Sequence, residues 1–166
     1  MHHQLDPRLI SVQRVALSAV SVIIGVATFW LLIGTWLAAW LRGEASPLMG
    51  ALGLLAWALL VSLLAWYTYR WPAVSYRYAS YLVDEDGMEI QRGVFWRTVI
   101  NVPRSRVQHL DVSQGPLERR YGLGTLVMYT AGTNHAKVEL SGLDHTRALE
   151  IREHLLPTGQ AANDAV

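Results

Sequence analysis

Fourteen Lys and Arg stand against thirteen Asp and Glu in a chain of 166 residues that is 52% hydrophobic. The balance persists from Arg70 onward, eleven basic against eleven acidic residues, which excludes nucleic acid as a partner recognised by bulk charge. The absence of cysteine excludes disulfides, thiolate metal centres, a cysteine nucleophile and a lipoprotein anchor.

Residues 1–14 read as a short polar start, expected to be mobile, that carries Arg8 and Arg14. Two uncharged runs follow, Val15–Leu41 and Pro47–Tyr69, and each exceeds the roughly 20 residues a helix needs to cross a bilayer. In hydrocarbon the backbone must satisfy its own hydrogen bonds, so both runs are expected to be helical. Arg42-Gly43-Glu44 is too short to do more than join them, so residues 15–71 are expected to form an antiparallel transmembrane hairpin. The first run is too long for a signal peptide, whose apolar core spans about 7–15 residues. Arg8 and Arg14 before the hairpin and Arg70 and Arg77 after it, against Arg42 alone in the loop, place both termini on the cytoplasmic side. Trp40 marks one interface, and Trp66, Tyr67, Tyr69 and Trp71 mark the other. Small residues recur at helical spacing: Ser18, Ser21, Gly25 and Thr28 in the first span, Gly50, Gly53 and Ala56 in the second. Such faces let helices approach closely, either each other or a partner membrane protein.

Beyond Pro72 the period changes to that of strands, and residues 72–157 are expected to form one small domain. Tyr76–Val83 reads as a strand, Asp84-Glu85-Asp86-Gly87 as a hairpin turn, and Met88–Arg92 as a half-buried strand. Gly93 permits a bend before a third strand, Phe95–Val102, which Pro103 ends. Val107–Ser113 reads as a fourth strand, Gln114–Gly124 as a loop or short helical turn, Thr125–Thr130 as a fifth strand and Lys137–Leu140 as a sixth, after a turn at Ala131–Asn134. Asp144 can cap a last helix whose Ala148, Ile151 and Leu155 share a face, with Pro157 ending it and a disordered tail over 158–166.

The stretch from Arg106 to Gly124 resembles the signature of the bacterial pleckstrin-homology-like membrane proteins. Arg106 and Gln108 open a strand that runs to Gln114-Gly115, followed by Arg119 and by Gly122-Leu123. The turn at Thr130-Ala131-Gly132 and the helix after Leu143 match as well, and a preceding helical hairpin is typical of the short members. The resemblance implies an α+β membrane protein: a two-helix transmembrane hairpin, then a PH-like split β-barrel of antiparallel strands with a C-terminal capping helix. It further implies a bacterial inner-membrane location and, as a partner, a larger PH-like membrane protein. It implies no reaction, since a shared fold is weak evidence for shared function.

Residue chemistry narrows the sites. Three carboxylates in the Asp84–Gly87 turn would repel a phosphate where eukaryotic PH domains hold phosphoinositides. The candidate interaction residues are Arg104, Arg106, Gln108, Gln114, Gly115, Arg119 and Arg120. The arginines could meet anionic headgroups or acidic side chains of a partner; equally, Arg106 and Arg119 could pair with Asp111 or Glu118. Gln114 could bond the loop backbone, and Gly115 could permit a tight turn. The helix-packing candidates are Ser21, Gly25, Gly50 and Gly53. His109, His135, His145 and His154 lack metal-ligand spacing, His2 and His3 lie in the start expected to be mobile, and neither a nucleophile elbow nor a phosphate loop is present, so no metal, cofactor or catalytic residue is expected. Two readings follow. One is a non-enzymatic interaction or scaffold module acting with a membrane protein or with copies of itself, and the other is a lipid- or small-ligand-sensing domain at the inner leaflet.

Overall fold

The computed structural model describes residues 3–131 and 137–155. They fall into two compact units, Gln13–Pro72 and Met1–Val12 together with Ala73–Val166. The turn expected over Gly132–Asn134, His2, His135 and the tail expected from 158 lie outside the described residues.

Two helices dominate the first unit: α1, Arg8–Leu41, and α2, Pro47–Arg77. Both are long and apolar enough to cross a membrane. Their large apolar side chains point outward, with Leu31 70%, Trp30 67% and Leu55 67% exposed, an arrangement that suits hydrocarbon and not water. Between α1 and α2 the chain reverses at Gly43, whose φ of +74° suits a residue without Cβ, and Gly43 and Glu44 donate to the carbonyls of Trp40 and Ala39. The four small residues expected at a packing face all meet the opposite helix. Ser21 and Thr68 hydroxyls lie 2.9 Å apart, and Trp57 Nε1 donates to the Gly25 carbonyl at 3.1 Å. A Cβ at Gly50 would come within 2.8 Å of Trp36 Nε1, and one at Gly53 within 3.3 Å of Leu32. Ser18 and Thr28 instead donate to carbonyls of their own helix, those of Arg14 and Ile24.

Among the described residues of the second unit, seven strands form two antiparallel sheets. The first has the order β1 (His3–Gln4), β2 (Ser80–Val83), β3 (Gly87–Arg92), β4 (Thr98–Pro103). The second has the order β5 (Val107–Ser113), β6 (Leu123–Thr130), β7 (Lys137–Asp144). A 3₁₀ turn at Arg104–Arg106 joins the sheets, α3 (Pro116–Tyr121) links β5 to β6, and α4 (His145–Leu155) packs on the second sheet. Strand pleating puts alternate residues inward. Met88, Ile90, Ile100 and Val102 from the first sheet therefore share one core with Leu110, Leu126, Met128, Val138 and Leu140 from the second. Ala148, Ile151 and Leu155 of α4 close that core, and Asp144 caps the helix by accepting the Thr146 N–H at 3.0 Å. The result is an α+β protein of the architecture the resemblance implied.

Three local expectations fail. The start expected to be mobile is structured from His3: β1 pairs with β2, Asp6 N donates to the Gly142 carbonyl at 2.9 Å, and Tyr76 Oη donates to the Leu5 carbonyl at 2.8 Å. Leu5, Leu9 and Val12 enter the core. Leu5 follows β1, and Leu9 and Val12, three residues apart, share a face at the start of α1, hidden among charged and polar neighbours. Second, α2 continues through Pro72 to Arg77, so the strand expected from Tyr76 begins at Ser80. Third, β4 begins at Thr98, and Phe95 and Trp96, expected within the strand, occupy the turn before it.

Candidate interaction surface

The signature stretch from Gln114 to Gly124 is held by its own polar groups. Gln114 Nε2 donates to the Leu123 carbonyl at 2.6 Å, across the base of the β5–β6 connection. The Glu118 carboxylate accepts the Gly115 N–H at 2.8 Å with one oxygen and the Thr125 hydroxyl at 2.8 Å with the other. Pro116 suits the first position of α3, where its missing N–H has no helical partner to lose. Gly122 ends α3 in the left-handed region at φ +69°, and its carbonyl accepts the His145 N–H that leads into α4. Arg8 lies beside it, with its guanidinium 3.7 Å from the Asp144 carboxylate and 3.9 Å from Asp6.

Two sequence expectations for this loop change accordingly. Gly115 has an extended backbone, φ −72° and ψ 167°, which any residue adopts, so the turn that needs glycine is at Gly122. Glu118 is engaged by Gly115 and Thr125, and Asp111 lies 2.8 Å from His109 Nε2, so neither carboxylate is the partner of Arg106 or Arg119 suggested by proximity in sequence. Arg119 and Arg120 project from α3 and are exposed. Arg106 is exposed at the end of the 3₁₀ turn, where its carbonyl accepts the Ala131 N–H, and Arg104 is half-buried with its N–H bonded to the Asp86 carbonyl. Gln108 is exposed on β5 beside the irregularity in the β5–β6 register. Of the seven candidates, Gln114 and Gly115 thus bond within the loop, Arg104 is half-buried, and Arg106, Gln108, Arg119 and Arg120 are exposed.

Electrostatically, the unit is a mosaic of local pairs. Lys137 and Glu139 are 2.6 Å apart on β7, and that hydrogen bond raises the lysine's pKa. Arg147 on α4 is likewise held charged, chiefly by Glu150 and then by the hydroxyl of Tyr81. Among the described residues no three His, Asp or Glu side chains converge as metal ligands would. The feature that sequence reasoning missed is the β3–β4 tip, where Phe95 is 80% and Trp96 87% exposed. Gly93 before this pair was the available signal, since it favours a turn over a continuing strand.

Comparison with known proteins agrees with this architecture. The model of the bacterial PH domain family matches residues 8–158, so the match runs through both apolar helices and strands β2 to β7. The UPF0699 transmembrane protein YdbS of Bacillus subtilis (strain 168) is 31% identical over 154 residues, covering 93% of this chain and 88% of the relative. No solved structure matches. With two membrane-length helices leading into paired antiparallel sheets and a closing helix, and with that family model spanning nearly its whole length, the chain belongs to the bacterial PH domain family.

Proposed function

We propose that this membrane protein is a non-enzymatic interaction module. Its hairpin anchors a PH-like domain at the cytoplasmic face of the bacterial inner membrane, where the domain scaffolds a second membrane protein. The observation that carries the reading is the outer edge of β4, which has no strand neighbour among the described residues. An unpaired edge offers a row of backbone donors and acceptors to an incoming strand, and alternate side chains supply selectivity. Arg106, exposed, follows this edge closely and suits an acidic partner segment. The partner that fits best is a larger PH-like membrane protein, with a second copy of this chain as the other form of the same contact.

The test is photo-cross-linking from Asn101 on β4 in native membranes, followed by purification in mild detergent and mass spectrometry. A stoichiometric membrane protein cross-linked at Asn101 is expected. Recovery of the bare chain from native membranes, with no cross-linked species, would overturn the reading. A lipid- or small-ligand-sensing role is the second reading, favoured by the exposed Arg119 and Arg120 on α3. Under that reading, Arg119→Ala with Arg120→Ala weakens contact with anionic lipid, and added salt does the same.

A further inference from the structure

The β3–β4 tip has a composition unlike any other turn among the described residues of the second unit. Val94, Phe95 and Trp96 stand between Arg92 and Arg97, and the segment from Ile90 to Asn101 holds those two arginines and no carboxylate. Trp96 at 87% and Phe95 at 80% are the most exposed large apolar side chains among the described residues, those of the membrane-length helices included. The projection is built in. Gly93, at φ +112°, closes a turn so tight that a Cβ there would collide with the Trp96 carbonyl. Behind it, Arg97 Nη2 donates to Gln91 Oε1, whose amide in turn donates to Glu89. Val99, 52% exposed on β4, extends the apolar surface toward the strand.

We propose that this tip is a bilayer-contacting element that seats Phe95 and Trp96 at the headgroup level of an anionic leaflet, with Arg92 and Arg97 on the lipid phosphates. The side-chain chemistry fits that occupant in both parts. Indole and phenyl rings prefer the membrane interface, and guanidinium binds phosphate in a bidentate fork. The opposite end of β3 supports the polarity. There the turn carries Asp84, Glu85 and Asp86, with the Asp84 carboxylate bonded to the N–H groups of Asp86 and Gly87. A six-residue strand separates the two ends by about 17 Å, so the cationic aromatic tip stands well away from the carboxylates of the β2–β3 turn. An anionic surface attracts the first and repels the second. The inference rests on the membrane location of the protein and not on the scaffold or sensing readings; its lipid contact is made by residues other than Arg119 and Arg120.

The chain has no cysteine, so a single Val94→Cys substitution in the full-length protein can carry an environment-sensitive fluorophore. It would be reconstituted at one protomer per nanodisc, in discs of phosphatidylcholine alone or mixed equally with phosphatidylglycerol, with nitroxide-labelled lipid as quencher. The expected result is blue-shifted emission and lipid quenching in the phosphatidylglycerol discs, reduced by salt, while a Glu85→Cys probe stays aqueous. Phe95→Ser with Trp96→Ser should reduce quenching to the Glu85→Cys level. Arg92→Gln with Arg97→Gln should abolish the difference between the two lipid mixtures. Thermal unfolding of each variant shows whether it is folded, and the lipid and salt dependence of the otherwise unaltered Val94→Cys protein stands without the variants. Quenching no greater than at Glu85→Cys in both mixtures would overturn the proposal. So would burial of the probe that appears only with two protomers per disc, or only after a native membrane extract is added, since the occupant would then be a protein.

Discussion

The two units of this protein use the same apolar residue types in opposite ways. In the hairpin, leucines such as Leu31 and Leu55 face outward, and at the contact between helices Ser21 meets Thr68 while Gly25, Gly50 and Gly53 let Trp57, Trp36 and Leu32 of the opposite helix approach. In the two-sheet unit the leucines go in: Leu123, Leu126 and Leu155 are fully buried. The difference lies in the solvent. Hydrocarbon gives leucine no reason to leave it, so helix pairing depends on close approach and polar contacts. Water drives apolar area inward, and the core forms wherever strand pleats and helix stripes can meet.

Truncating the two kinds of leucine tests that contrast most severely. Leu126→Ala should cost the sheet unit about 2–5 kcal/mol by opening a cavity in a packed core. Leu55→Ala in α2 should change stability by less than about 0.5 kcal/mol, as an outward-facing position does. Denaturant unfolding in detergent, followed by circular dichroism, measures both, and equal losses would erase the distinction. A second experiment asks whether the N-terminal residues belong to the sheet unit. Gly142 has φ +86°, and a Cβ there would press to within 2.5 Å of Leu9. Gly142→Val should therefore destabilise the unit by about 3 kcal/mol, from backbone strain and the collision together. A shift in melting temperature reads this out, and an unshifted variant would mean that Leu9 is not seated against Gly142.

Smaller effects separate scaffold from surface within the signature loop. Glu118→Ala leaves the Gly115 N–H and the buried Thr125 hydroxyl without their acceptor, an expected loss of about 1–3 kcal/mol. Arg119→Ala, on an exposed side chain of the same short helix, should change thermal stability by less than about 0.5 kcal/mol. The smallest contrast is between two glycines. Gly122→Ala, at φ +69°, should cost about 1 kcal/mol, whereas Gly115→Ala should be tolerated because its backbone is extended and its nearest neighbour, Glu118 Oε2, would lie 3.6 Å from the new Cβ. Parallel thermal melts of the two variants decide it, and an equal loss at both positions would contradict the glycine assignment.

Much of the architecture is legible in residue type and spacing. The hairpin can be read because hydrophobic length is a property of composition, and α4 because Ala148, Ile151 and Leu155 keep a helical period. The order of the strands can be read because turn residues punctuate them. The elements that escape such a reading are those where two local signals compete. Aromatic and branched residues from Tyr76 to Val83 suggest a strand, yet α2 runs through Pro72 to Arg77 and the strand begins at Ser80. Phe95 and Trp96 have high strand propensity, yet Gly93 turns the chain under them. Leu5, Leu9 and Val12 escape for another reason, because three apolar residues in a polar segment make too short a stripe to stand out.

By itself, the sequence determined the membrane hairpin, the α+β class and the family signature, since each depends on residue type and spacing along the chain. Tertiary structure alone decided what the signature residues do. Gln114 and Glu118 face the backbone and Thr125 because β6 returns beside β5, a pairing that no local pattern encodes. It also decided that Leu5, Leu9 and Val12 join a core whose next strand begins only at Ser80. Contacts between distant parts of the chain follow from shape and solvent, which spacing along one chain does not record.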